Sequence, residues 1–162
     1  MRADFRVTAI PAGDLDRIRR RGTDDFGNAV VATTIRDQGG TPLRCCLREA
    51  AMGERVALIG WQPATTGGPY VEVGPVFIHA DACGGYPDID AYPSGFRHRR
   101  QIFRAYDADG RQVDNILVEG LNAEGAIADL FARPEVTYLH SRNVLPGCYM
   151  FTVTRPPAAT RG

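Results

Sequence analysis

The sequence predicts an α+β domain built on a curved, mainly antiparallel sheet with two short helices. Most segments have strand-like composition and are joined by tight turns, which favour antiparallel pairing. Only two segments show a helical pattern, one near each end of the chain, so a doubly wound βαβ fold is disfavoured. With 162 residues, 44% hydrophobic and 23% charged, the chain has the size of one domain. We assign residues 1–155 to that domain and residues 156–162 to a flexible C-terminal tail.

The first half of the chain is predicted to be mostly strand. Leu15 and Ile18, spaced i, i+3, predict one short helix at 14–21. Gly74 and Pro75 fall within the last strand of this half and predict that it lies at a sheet edge or contains a bulge. Segments rich in β-branched and apolar residues predict strands at 5–10, 29–36, 43–47, 56–61 and 71–79.

The second half begins with a long segment, 81–95, whose three Gly and two Pro predict a loop long enough to be functional. Asp107 to Gly110 predicts the turn of a hairpin. A helix is predicted at 121–132, with Asn122 as its N-cap and with Pro134 preventing its continuation. Its predicted apolar face consists of Leu121, Ile127, Leu130 and Phe131. The remaining strands are predicted at 99–106, 111–118, 136–142 and 148–155.

Charge and composition exclude several classes of function. The 19 basic and 19 acidic residues balance, and without a basic excess we predict no nucleic-acid partner. Every basic residue is Arg, so a Lys Schiff base and a Walker-type Lys are both impossible. No segment reaches the roughly 18–20 apolar residues of a membrane span. The first six residues lack the apolar run of a signal peptide, so we expect a cytoplasmic protein whose four Cys are thiols.

The first candidate site consists of His79, Cys83, His140 and Cys148. Cys83 follows His79 by four positions, in the turn after a predicted strand. If the last two strands form a hairpin centred near Val144, His140 faces Cys148 directly, with about 5 Å between their Cβ atoms. Such residues can share a metal or give a thiol activated by His for catalysis. The alternative is that the four side chains are separate and structural, because free Cys is often a small buried hydrophobe.

Cys45 and Cys46 form the second candidate. Adjacent residues of a strand point to opposite faces, so we expect these two thiols not to bind one metal. If one of them is reactive, Arg44 and Arg48 can stabilise its thiolate. The alternative is a pair of thiols that line the core.

The third candidate is a group of Arg residues suited to an anionic ligand, because Arg binds carboxylate and phosphate in a bidentate manner. In a strand, Arg100, Arg104 and Tyr106 share one face with Ile102. Arg44 and Arg142 lie on other strands and can join them. The alternative is a solvated strand whose Arg residues pair with acidic residues. Glu72 and Glu119 are expected in such ion pairs rather than as general bases.

Four stretches resemble the bacterial family called domain of unknown function 1203. They begin at Pro42, Tyr70, Phe103 and Gly147 and read PLRCCLR, YVEVGPVFIHA, FRAYD and GCY. The resemblance covers nearly the whole chain and implies a bacterial protein of a single domain. It carries over no catalytic residues.

These observations leave three functions open. The first is an enzyme or a binding protein that handles an anionic small molecule, with a pocket at the 81–100 loop lined by Arg, His and Cys. The second is a metal-binding protein that uses the same His and Cys residues. The third is a non-catalytic interaction module or homodimer that pairs through a strand edge near Gly74. The sequence leaves the substrate, the reaction class and any cofactor undetermined.

Overall fold

The computed structural model describes residues 4–158, and within them the chain forms two α-helices and ten strands. This confirms the α+β class. The helices are α1 (Ala12–Arg21) and α2 (Ala123–Phe131). Neither helix in the described range is long and apolar enough to span a bilayer. The strands are β1 (Arg6–Thr8), β2 (Thr33–Thr34), β3 (Pro42–Leu43), β4 (Arg48–Glu49), β5 (Arg55–Trp61), β6 (Gly74–His79), β7 (Arg100–Tyr106), β8 (Gln112–Glu119), β9 (Tyr138–Arg142) and β10 (Tyr149–Thr154).

The strands divide between two five-stranded sheets. The first sheet has the order β1-β10-β9-β7-β8 and is antiparallel throughout. The second has the order β2-β5-β6-β3-β4 and is antiparallel except where β3 runs parallel to β6. The predicted predominance of antiparallel pairing is therefore confirmed, with the strands in two sheets.

The helices each place an apolar face against a core. In α1, Leu15 and Ile18 are buried, as their spacing predicts, and they pack with residues of the second sheet. In α2, Ile127 and Leu130 pack in the core beneath the first sheet. Asn122 precedes α2 as predicted, but its side chain makes no capping hydrogen bond. The prediction for Leu121 is wrong, because this residue lies in a 3₁₀ turn before α2 and is exposed.

The predicted hairpin between β7 and β8 is confirmed. Its turn depends on Asp107, whose Oδ1 accepts hydrogen bonds from the backbone N–H groups of Asp109 and Arg111, both at 2.9 Å. Gly110 closes the turn with a φ of 77° and donates to the carbonyl oxygen of Asp107. This local chemistry is sufficient to specify the turn, which is why the sequence alone predicted it.

The predicted strand at 43–47 is wrong. Residues 44–47 form a turn between β3 and β4, closed by a 3.0 Å hydrogen bond from the Leu47 N–H to the Leu43 carbonyl oxygen. Leu47 has a φ of 57°, a left-handed conformation that sequence composition gives no reason to expect. The turn also depends on a contact distant in the chain, because the Arg44 N–H donates to the carbonyl oxygen of Phe77 in β6.

The predicted position of β6 at a sheet edge is also wrong. β6 lies between β5 and β3, and Gly74 and Pro75 begin it, where a missing N–H is tolerated. β3 pairs with β6 at Phe77, whereas Gly74 and Pro75 pair with β5, so the interaction module proposed for the strand edge near Gly74 stays a prediction. The segment 71–73 precedes β6 and is not part of it.

β9 and β10 form the predicted hairpin, but in a different register. His140 pairs with Thr152 rather than with Cys148. The Asn143 N–H donates to the carbonyl oxygen of Cys148, so the turn lies between these residues and not around Val144 as predicted. A register shift follows between Tyr149 and Phe151. Residues 156–158 of the predicted tail are exposed and have no regular structure, whereas residues 159–162 lie outside the described range.

Candidate metal centre

Three thiols and one imidazole meet at one end of the second sheet. One ligand atom from each residue lies within 4.8 Å of the other three. The four residues of this cluster, called the Cys–His cluster below, are Cys45, Cys46, His79 and Cys83.

The fold brings these residues together from three places. Cys45 and Cys46 lie in the 44–47 turn, where the chain reverses between β3 and β4. His79 is the last residue of β6, and Cys83 lies in the loop that follows. Because β3 pairs with β6 at Leu43, the turn lies beside the end of β6. The turn also places both adjacent thiols on one side, which an extended strand would not do.

The three distances among Cys45, Cys46 and His79 match a tetrahedral metal site, and the Cys83 sulfur lies within 4.8 Å of the other three ligand atoms. With Zn–S bonds of about 2.3 Å and Zn–N bonds of about 2.0–2.1 Å, tetrahedral geometry requires about 3.8 Å between two sulfurs and about 3.5 Å between sulfur and nitrogen. The Cys45 and Cys46 sulfurs are 3.9 Å apart. The Nδ1 atom of His79 is 3.4 Å from the Cys45 sulfur and 3.7 Å from the Cys46 sulfur.

A second shell orients the imidazole. His79 Nε2 contacts the carboxylate of Glu54, so the opposite nitrogen, Nδ1, faces the sulfurs. Arg48 in turn binds Glu54 with two parallel hydrogen bonds of 2.7 and 2.8 Å. The Ala51 N–H also donates to this carboxylate. Metal-bound His residues characteristically donate their second nitrogen to a carboxylate held in this way.

The thiol pKa values are shifted in different directions from one cysteine to the next. The hydrogen bond between the two neighbouring sulfurs is the largest influence on both, raising the pKa of Cys45 and lowering that of Cys46. Burial raises the pKa of Cys83. Backbone N–H groups point at two of the sulfurs, from His79 to Cys45 at 3.3 Å and from Gly85 to Cys83. Such donors stabilise a thiolate once the proton has left.

The chemistry of the cluster fits a soft divalent ion. Three thiolates and one neutral imidazole around a divalent cation leave one net negative charge, and the cationic side chains of Arg48 and Arg19 lie beside it. Arg19 is fixed there by a 3.0 Å hydrogen bond to the carbonyl oxygen of His79. Sulfur-rich tetrahedral sites favour zinc over magnesium, calcium or manganese.

Cys148 lies elsewhere, beside Arg44. The buried Arg44 donates to its sulfur from Nη2 at 3.0 Å, and Asn143 donates from Nδ2 at 2.9 Å. Arg44 also donates to the carbonyl oxygens of Pro42 and Tyr149. Arg44 therefore binds Cys148 and two carbonyl oxygens, and it lies apart from the other Arg residues of the predicted anion site.

His140 lies on the first sheet with three residues of the predicted anion site. Arg104 pairs with His140 across β7 and β9, and Tyr106 packs on the ring of His140, with 4.9 Å between the ring centroids. Arg104 and Arg142 both bind Glu72, as expected for an ion pair. Arg100 shares their strand face but is exposed and pairs with Glu119. The residues expected to line one cleft thus occupy three separate places.

The sequence predicted two of the four residues of the Cys–His cluster as partners. It paired His79 with Cys83, which are close in the chain, but separated Cys45 from Cys46 by treating them as strand residues. Glu54 was missed altogether. Glu54 lies six residues after Arg48 in the sequence. That spacing indicates a contact only when the turn between β4 and β5 is already known.

One comparison with known proteins gave a match. The family described as "Protein of unknown function (DUF1203)" matches residues 40–155. That range contains all four residues of the Cys–His cluster and both halves of its second shell, Glu54 and Arg48. The searches of curated proteins and of solved structures found no match.

Proposed function

We propose that this chain, which belongs to the family of proteins of unknown function DUF1203, is a zinc-binding protein whose ion is held by the Cys–His cluster. The observation that carries the proposal is the agreement of three ligand-to-ligand distances with tetrahedral zinc geometry. A chance meeting of thiols in a core has no reason to include an imidazole with Nδ1 turned inward and Nε2 on a carboxylate.

Four protein ligands make a closed site, and closed sites are structural rather than catalytic. The ion would tie together the 44–47 turn, the end of β6 and the beginning of the 80–93 loop. β3 and β4, which flank the turn, contain two residues each, and β3 pairs with β6 at Leu43. The free energy of metal binding would then contribute directly to the stability of this end of the second sheet.

The test is the metal content of protein purified without a chelator or a His-tag. Elemental analysis should find about one zinc per chain. Replacing Cys46 or Cys83 with Ser should reduce this to well below half an equivalent. Cys148→Ser is the matched control, because it removes a thiol outside the cluster and should leave the zinc content unchanged.

Cobalt(II) provides a second measurement on the same protein. If the site has three thiolates in a tetrahedron, cobalt substitution should give a thiolate-to-metal charge-transfer band and intense visible d–d bands. Reduced protein that contains no zinc, and that gains neither zinc nor the cobalt spectrum when the ions are supplied, would overturn the proposal. Far-UV circular dichroism of each variant separates loss of metal from loss of fold.

The cellular setting follows from the same chemistry. The cluster needs reduced sulfurs, and all four Cys are free thiols. We therefore infer a reducing compartment, such as a bacterial cytoplasm. The anionic ligand expected from the sequence is a separate proposal, which concerns the face that carries Arg104 and Arg142.

A further inference from the structure

A second polar cluster lies on the first sheet, on the side opposite its apolar core. Phe103 of β7 and Leu139 of β9 are buried in that core, so the residues that alternate with them point the other way. We call this side the Arg104–Arg142 face. The side chains that form it are Arg104, Tyr106, Tyr138, His140 and Arg142.

Glu72 covers this face from the segment that joins β5 and β6. Its Oε1 accepts from Arg104 at 3.1 Å, and its Oε2 accepts from Arg142 at 2.9 Å. The partners differ in exposure, since the side chain of Arg142 is 6% exposed and that of Glu72 is 44% exposed. A buried cation is thus neutralised by a half-exposed carboxylate on a connection without regular secondary structure.

Three polar atoms of the Arg104–Arg142 face have no hydrogen-bond partner among residues 4–158. They are Nε of Arg142, Nδ1 of His140 and the hydroxyl of Tyr138. All three side chains are more than nine-tenths buried. Native proteins seldom leave buried polar atoms unsatisfied, and three on one strand face suggest groups arranged for a ligand.

The protonation of His140 defines what such a ligand must supply. Nε2 lies 3.0 Å from the carbonyl oxygen of Ala64, which can only accept, so Nε2 carries the proton. Burial lowers the pKa of His140 to about 4, so the ring is neutral at pH 7. Nδ1 is therefore an acceptor that requires a donor, whereas the two Arg residues require an anion.

A cavity of about 550 Å³ adjoins the same face. It is bounded by residues 64–66 of the covering segment and by strands β9 and β10, and Tyr138 and Thr152 are in its wall. This volume lies within the usual range for small-molecule sites, which is about 300–1,000 Å³. Gly67 and Gly68, with φ values of 98° and 91°, follow directly in the covering segment. Of the side chains that form the Arg104–Arg142 face, Tyr138 is the one that contributes to the wall of this cavity.

We propose that the Arg104–Arg142 face is a binding site for a small hydroxycarboxylate, and that Glu72 occupies the position of its carboxylate. The ligand carboxylate would pair with Arg104 and Arg142 once Glu72 moves aside. Its hydroxyl would donate to Nδ1 of His140. This site is independent of the zinc site, so each proposal can fail without the other.

The first test removes the Glu72 carboxylate, which occupies the position proposed for the ligand carboxylate. Isothermal titration calorimetry compares Glu72→Ala with the wild type, using lactate and 3-hydroxybutyrate as probes and sodium chloride to match ionic strength. An attached carboxylate competes at a high effective concentration, so Glu72→Ala should bind at least one probe at least about tenfold more tightly than the wild type. Equal binding by the two proteins, or binding by neither, would overturn the proposal.

The second test concerns the hydroxyl. Propionate and butyrate lack the hydroxyl group and otherwise match lactate and 3-hydroxybutyrate. In the Glu72→Ala background, the hydroxylated member of a pair should bind about 2- to 10-fold more tightly. Adding His140→Phe should abolish that preference while leaving binding of the plain carboxylate. A preference that survives His140→Phe would contradict the role given to Nδ1.

The Arg residues supply the last control. Arg104→Met in the Glu72→Ala background should abolish binding of the carboxylate probes. Arg100→Met changes the same residue type on the same strand, but Arg100 is paired with Glu119 in solvent and should have no effect. Equal losses from both variants would show nonspecific attraction of anions and would overturn the proposed site.

Discussion

Glu54 holds the imidazole of His79 by Nε2, so that Nδ1 lies 3.4 Å from the sulfur of Cys45. This relationship predicts that the carboxylate contributes to metal affinity without touching the metal. Glu54→Gln keeps the shape of the side chain but loses the charge that increases the basicity of the ring. Zinc affinity, measured by competition with a chromophoric chelator, should fall about 10- to 100-fold.

Glu124→Gln is the matched control for that experiment. Glu124 is also bound by an Arg, Arg97, but it begins α2 and belongs to no cluster with His or Cys. Zinc affinity should be unchanged in this variant. If Glu54→Gln also left the affinity unchanged, the carboxylate would have only a structural role.

The arrangement of the thiols predicts which of them react. Cys148 is partly exposed and lies outside the Cys–His cluster, so it should be alkylated readily by iodoacetamide in the zinc-loaded native protein. Bound zinc should protect Cys46 and Cys83, which are also partly exposed, and a chelator should make both reactive. Cys45 is buried and should react slowly in either state. Mass mapping of the alkylated peptides measures all four, and equal labelling of Cys46 with and without zinc would contradict the metal site.

The sequence predicted the fold best where local chemistry specifies structure. The β7–β8 hairpin follows from Asp107 and Gly110, whose hydrogen bonds join residues close in the chain. Helix α1 follows from the i, i+3 spacing of Leu15 and Ile18. The 44–47 turn differs, because it depends on the positive φ of Leu47 and on a hydrogen bond from Arg44 to distant Phe77. No local pattern signals either feature.

The predicted pairing of His140 with Cys148 was wrong for a related reason. That prediction assumed a turn centred near Val144, whereas the actual turn carries Cys148 opposite Asn143. A shift in register changes every cross-strand neighbour. The Arg104–His140 pairing, in contrast, depends on two regular strands without a shift between them, and the shared face of Arg104 and Tyr106 followed from alternation alone.

Asp24 and Asp25 provide a matched pair for stability. Asp24 is buried and accepts four hydrogen bonds of 2.7–2.9 Å, from the backbone N–H groups of Phe26, Asn28 and Gly60 and from the amide of Asn28. Asp24→Asn turns an acceptor into a donor that faces other donors, and should reduce the free energy of unfolding by at least about 2 kcal/mol. Asp25→Asn affects surface ion pairs with Arg17 and Arg21 and should cost less than about 1 kcal/mol. Urea unfolding measures both.

The same carboxylate predicts a pH dependence. Burial acts to raise the pKa of Asp24, but the hydrogen bonds from Asn28, Gly60 and Phe26 outweigh it, so the pKa is lowered in the folded state. The folded state therefore binds this proton less readily than the unfolded state. Its stabilisation is complete above the unfolded pKa of about 3.9 and is lost as pH falls through the lower, folded value. The stability difference between the wild type and Asp24→Asn should therefore narrow below about pH 4, and a constant difference from pH 7 to pH 2 would contradict this assignment.

Arg44 is the last case, because it links the two sheets through a buried guanidinium. It donates to the carbonyl oxygen of Pro42 in the second sheet and, at 2.7 Å, to that of Tyr149 in the first. Its third contact is the sulfur of Cys148. Arg44→Met fills similar space but removes the donors of two carbonyl groups, so unfolding should become easier by about 3 kcal/mol or more. Arg44→Lys keeps the charge without the planar fork and should fall between Arg44→Met and the wild type.

Arg100→Met is the control for Arg44, since Arg100 is exposed and paired only with the exposed Glu119. Its free energy of unfolding should differ from that of the wild type by less than about 1 kcal/mol. Urea unfolding followed by tryptophan fluorescence suits the comparison, because the single Trp, Trp61, lies in the second sheet. If Arg44→Met proved as stable as Arg100→Met, the three contacts of Arg44 would contribute nothing net to folding.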